Sequence, residues 1–164
     1  VAIVNESFGP FDLAVGHSFG GVVAVNAAVG GISAFEPVAF KKIVIIASPN
    51  SMPALFGSVG KRLGLVAAAQ TAFEARVEAV AGNRLDTYVM GEQLKRFDGE
   101  VLVLHAPDDA EVAFGDAQAM ANAGNHVRLV PMPGLGHRRI ISHERVFAEL
   151  SAFGGADMIA AEAA

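Results

Sequence analysis

The stretch Leu13–Val25, "LAVGHSFGGVVAV", decides the fold. Together with the preceding Phe11 and Asp12, its first half is apolar on both faces instead of alternating, the pattern of a strand covered above and below in a parallel sheet. From residue 19 to 29 small apolar residues follow at helical spacing, and Gly30 and Gly31 supply the expected stop. Ser18 sits at the junction, inside Gly16-His17-Ser18-Phe19-Gly20. A Gly-x-Ser-x-Gly at a strand-to-helix turn is a nucleophile elbow: the turn is so tight that both flanking positions leave little room for a side chain, and the serine is thrust up at the sheet's C-terminal edge. As a bare pattern it is weak in a chain with 18 glycines; the strand before it and the helix after it strengthen it.

Working outward, "KKIVIIASP" (41–49), "EVLVLHAP" (100–107) and "HVRLVPMP" (126–133) read as three more buried strands. "FGDAQAMANAG" (114–124) and "SHERVFAELSAFGG" (142–155) have helical spacing, the second with Ser142 as its expected N-cap. Residues 1–7 read as the end of a helix, broken by the Gly-Pro at 9–10. Strands alternating with helices of this length predict a parallel α/β sheet with flanking helices. Between about 51 and 97 no strand pattern occurs, and two or three helices there are expected to form a short cap outside the sheet. The alanine-rich tail, 154–164, reads as a frayed end.

With 164 residues, the chain fits a single domain with a sizeable core. Its longest apolar run, "IVIIA" at 43–47, is far below the ~20 residues that cross a bilayer, so no membrane partner is expected. The net charge of -5 offers no attraction to a phosphate backbone, and nucleic acid is an unexpected partner. There are no cysteines, which fits a reducing compartment and makes the cytoplasm the default expectation. No His and carboxylate grouping has metal-ligand spacing, and no phosphate-binding glycine motif occurs, so neither metal nor cofactor is expected.

A serine hydroxyl is a poor nucleophile at neutral pH; it needs a base within hydrogen-bond reach and a third group to orient that base. Both are found at other strand ends. "LVLHAPDDAEVAF" (102–114) delivers carboxylates just beyond one strand, and "VPMPGLGHRRII" (130–141) an imidazole just beyond the next. The chain order is Ser, Asp, His. In "VGHSFGG", "LVLHAPDDAEV" and "GLGHRRI", from about Phe11 to Phe153, the sequence resembles the α/β-hydrolase superfamily, in particular small bacterial esterase-like members. The resemblance implies Ser18 as nucleophile, His137 as general base and Asp109 as the acid, with Asp108 the alternative. The backbone N–H of Phe19 would serve the oxyanion hole.

The same resemblance implies several strands before the nucleophile strand, and a second oxyanion donor from a loop among them. About ten residues precede the nucleophile strand here, so the chain reads as a C-terminal portion without the N-terminal half of the fold, and its activity as impaired. The nucleophile strand is then expected at an unpaired apolar edge that invites a homo-oligomer or the missing N-terminal part. Met52, Phe56 and Leu135 are candidates for lining an apolar acyl pocket, with a small acyl compound as substrate. His17, His105, His126 and His143 read as structural, and Arg138 and Arg139 as solvated or paired with nearby acids. The expected function is hydrolysis of a small ester through an acyl-serine intermediate. A thioesterase, carbon–carbon hydrolase or perhydrolase on the same scaffold, or a noncatalytic binding domain, are the alternatives.

Overall fold

Consecutive apolar residues in the strands feed two cores at once. In β2 (Lys42–Ile46), Ile43 and Ile45 point to one face of the sheet, and Val44 and Ile46 to the other. In β3 (Glu100–His105), Val101 and Val103 join the first face, Leu102 and Leu104 the second. All of these are buried, and each such side chain contributes roughly 1.5–3 kcal/mol relative to exposure. The computed structural model describes residues 1–31 and 36–155; the expected frayed tail lies outside the described residues from position 156 onward.

With β1 (Leu13–His17) and β4 (Val127–Pro131), these strands form a four-stranded, all-parallel sheet in the order β1-β2-β3-β4. Its C-terminal edge therefore collects the ends of every strand. The first face is covered by α2 (Phe19–Val29), α6 (Phe114–Ala121) and the five-residue α5 (Met90–Leu94). The second is covered by α8 (Glu144–Gly154), together with Leu135 and with Ile140 of the 3₁₀ turn Ile140–Ser142, which flank the short, unburied α7 (Gly136–Arg139).

α3 (Met52–Arg62) and α4 (Ala67–Ala81) occupy the segment expected to form a cap. α4 has no buried residue and leans on the first core through partly buried Val77 and Ala81. α5 departs from the expectation that the whole of 51–97 lies outside the sheet layers. Its Met90 and Leu94 are fully buried, and Gln93 Nε2 donates to Asn26 Oδ1 of α2 at 2.9 Å, so α5 belongs to the helical layer. The expected N-cap of α8 also shifts by one residue. His143 Nδ1 accepts the Arg145 N–H, whereas Ser142 Oγ turns back to the carbonyl of Arg139.

The first strand is supported from one side only. Among the described residues β1 pairs with β2 alone, and α1 (Ala2–Phe8), which precedes it, buries none of its side chains. Val15, in the middle of β1, is 50% exposed, with exposed Phe8, Phe11 and Phe19 nearby in the chain.

Candidate active site

The turn from β1 into α2 places Ser18 one residue before the helix, at φ 54° and ψ -125°. Few non-glycine residues adopt such a conformation; it costs of order 1–3 kcal/mol and persists only where its surroundings enforce it. Here the Ser18 N–H donates to the Ile46 carbonyl at 2.8 Å, which ties the elbow to the end of β2. A Cβ on Gly16 would overlap the backbone of Gly20 and Gly21, so position 16 must be glycine for α2 to leave the strand this sharply. The expected crowding at Gly20 is not found: nothing among the described residues lies within 4 Å of a Cβ built there. The second close approach is one residue later, where a side chain on Gly21 would strike Ser48.

The partners arrive from the ends of β3 and β4. His137 Nδ1 donates to Asp109 Oδ2 at 2.8 Å, and because a carboxylate only accepts, the hydrogen belongs on Nδ1. Nε2 is then free to accept the Ser18 hydroxyl, 3.2 Å away. The other carboxylate oxygen, Asp109 Oδ1, accepts the backbone N–H groups of Glu111 and Val112 at 2.8 and 2.9 Å. Burial pushes the Asp109 carboxyl up; the Val112 amide, His137 and the Glu111 amide pull it down further, and the outcome lies below its ordinary value of 3.8. Asp109 is therefore ionised at neutral pH.

Asp108, the alternative acid, has a different task. Its Oδ1 accepts the Gly134 N–H at 2.7 Å and so links the acid loop to the loop that carries His137. Arg138 pairs with Glu111 at 3.0 Å, and Arg139 donates to the Gly134 carbonyl at 2.8 Å. Glu111 also brings a carboxylate oxygen to 3.9 Å from His137 Nε2.

Phe19 is the first residue of α2, where an N–H has no acceptor within the helix. Its side chain, 53% exposed, borders a cavity of about 360 Å³ lined almost wholly by apolar groups, among them Val22, Val23, Met52, Phe56 and Tyr88. Met52 and Phe56 thus face one space beside the elbow. Leu135 does not. It is buried in the second core with Ile46, Leu104 and Met132, because the turn before His137 folds inward under the sheet's edge.

Two histidines read from the sequence as structural touch this constellation. His17 Nε2 donates to the carbonyl of His137 at 2.9 Å, and the two rings lie 4.9 Å apart. His105, fully buried, places Nε2 3.1 Å from the Val112 carbonyl and 3.5 Å from Asp109 Oδ2. The only signal for either was position: each ends a strand at the edge where the loops converge. Among the described residues no group of three His, Asp or Glu side chains is arranged to hold a metal ion, and no helix is long and apolar enough to cross a membrane.

No protein-family model matches the chain, and no curated protein sequence is significantly similar to it. Solved structures are similar in fold. The esterase domain of a Rhodothermus marinus protein superimposes with a TM-score of 0.61 at 22% identity, over 94% of this chain and 62% of its own. NosK from Streptomyces actuosus gives 0.58 at 26% identity, over 90% of this chain and 70% of its own. A thermophilic esterase from Thermogutta terrifontis, solved with butyrate bound, gives 0.57 at 21%, over 92% and 55%. The chain has a hydrolase-type α/β fold, that of the α/β-hydrolases, and spans 55–70% of the length of these three structures.

Proposed function

We propose that the chain carries the acyl-transfer centre of a serine hydrolase acting on a small ester. The observation that carries this reading is the continuous hydrogen-bonded relay from Ser18 Oγ through His137 to Asp109. In the proposed reaction His137 Nε2 takes the Ser18 proton as Oγ attacks the acyl carbon, then returns it to the leaving alcohol; water repeats the sequence on the acyl-serine. Asp109 stays ionised throughout, keeps the hydrogen on Nδ1 and steadies the imidazolium. The Phe19 amide donates to the oxyanion. Removing a single oxyanion donor typically slows turnover about 10²–10³-fold, which is the share of the rate this amide is proposed to supply.

The apolar cavity beside Phe19 supports an aliphatic acyl group as the part of the substrate held by the protein. That one structural neighbour was solved with butyrate is in keeping with an acyl chain of this kind. The test is a panel of p-nitrophenyl esters of graded acyl length, with Ser18→Ala alongside. Hydrolysis that depends on Ser18 and is best for short to medium aliphatic acyl groups is expected. Hydrolysis that Ser18→Ala leaves unchanged would refute the reading.

A further inference from the structure

His105 is the one fully buried histidine among the described residues, and the relay described above does not use it. It ends β3, and its ring stands edge-on to Phe114 with 6.0 Å between centroids. Val112 O can only accept, so His105 Nε2 carries the hydrogen and donates it at 3.1 Å, and Asp109 Oδ2 lies beside the same nitrogen at 3.5 Å. Nδ1, on the other side of the ring, has no hydrogen-bond partner among the described residues.

That orphan nitrogen makes the residue costly as mere filling. A phenylalanine or leucine would occupy the space without burying an unsatisfied polar atom. The return for that cost lies in what Nε2 grips. Val112 is held at both ends: its carbonyl accepts from His105, and its N–H donates to Asp109 Oδ1. The ring thereby closes the seven-residue loop from β3 and fixes the peptide that aims the acid. It also approaches the same carboxylate oxygen that receives His137 Nδ1–H.

We propose that His105 is a positioning residue for the acid–base pair: by clamping Val112 and flanking Asp109 Oδ2, it sets the orientation of the carboxylate toward His137. The catalytic half of this inference rests on the serine-hydrolase reading; the geometric half does not.

The test uses the whole chain and two readouts. The first is the downfield proton resonance of His137 Nδ1–H, assigned by its loss in His137→Ala. The second is the rate at which a fluorophosphonate labels Ser18. His105→Leu is expected to shift the resonance upfield or broaden it away and to slow labelling about 10- to 100-fold, with little change in KM for an ester substrate. His105→Gln, whose amide nitrogen reaches the place of Nε2, is expected to restore both to within a few-fold, and His105→Asn, which reaches only the place of Nδ1, is not. A folded His105→Leu with the wild-type resonance and labelling rate overturns the proposal. Should the leucine variant fail to fold, equal behaviour of the Gln and Asn variants overturns it instead. Absence of labelling in the wild type, with the resonance responding as described, would count against the hydrolase reading and leave the positioning role standing.

Discussion

The acid loop and the nucleophile strand meet at the same rim, yet they are supported in opposite ways. The side chain of Asp109 is shielded from solvent and receives three hydrogen bonds, from Glu111, Val112 and His137, and Asp108 bolts its loop to the neighbouring one. Ser18 is held in a strained conformation by a strand paired on one side, preceded by a helix with no buried side chain. The orienting half of the proposed site is thus tied down by hydrogen bonds on every side, and its proposed attacking half sits at the margin of the sheet. A site so divided should respond to mutation asymmetrically.

The largest effect is expected where the buried half is broken. Asp109→Asn removes the charge that holds His137 in its tautomer, and Ser18 labelling should slow by about 10³–10⁴. The same group sets an acid limit on stability. Its folded pKa lies below 3.8, so its contribution is present above the unfolded value and is lost as pH falls through the folded one. Acid unfolding of Asp109→Asn should therefore show a shallower dependence on pH below about 4 than the parent, and identical profiles would contradict the stated hydrogen bonding.

Next comes the elbow itself, where two glycines of one motif separate. Gly16→Ala forces a methyl group into the backbone of Gly20 and Gly21 and should cost about 3 kcal/mol or more. Gly20→Ala meets open space within a helix and should change stability by no more than about 1 kcal/mol, in the stabilising direction. Denaturant unfolding of the two variants checks the contrast, and equal losses would contradict the close approach at position 16.

A smaller effect is expected at the edge. An unpaired apolar strand recruits other chains, so the parent should gain mass with concentration in light scattering and Val15→Lys should suppress that gain. Stability itself should move by only about 0.5 kcal/mol, because Val15 is half exposed. Equal masses for the two proteins across concentration would argue against association through this edge. The smallest change belongs to Asp116, on α6, whose carboxyl burial lifts above 3.8 against a smaller pull from the Asn50 backbone. Its ionised form is disfavoured by folding, a cost present above the folded pKa and absent in acid. Asp116→Asn should therefore stabilise the chain slightly at pH 7, by under about 1 kcal/mol after screening, and leave its stability unchanged at pH 3, as read from thermal unfolding.

Much of this was legible in the chain. Apolar runs located all four strands, but the expected burial on both faces holds only for the central β2 and β3: β1 and β4, at the edges of the sheet, keep half-buried and exposed residues. The motifs "GHSFG", "APDD" and "GLGH" stood at three of the strand ends. Their meeting within hydrogen-bond distance follows from the sheet being parallel, since every strand then ends at the same rim. What the sequence concealed depended on partners distant in the chain. α5 is too short for its apolar spacing to show which layer it joins, and its place is decided by Asn26 and by the first core. Leu135 reads as a loop residue until the fold of its turn buries it. The contacts of His17 and His105 depend on carbonyls 120 and 7 residues away, which no local pattern records.

The most direct measurement of the central claim is intact-protein mass spectrometry after exposure to a fluorophosphonate, with peptide mapping of the adduct. One adduct on Ser18, formed slowly or not at all once His137 is changed to Ala, is the expected result. A chain that stays unlabelled, or that labels equally well without His137, would contradict an activated serine at this site.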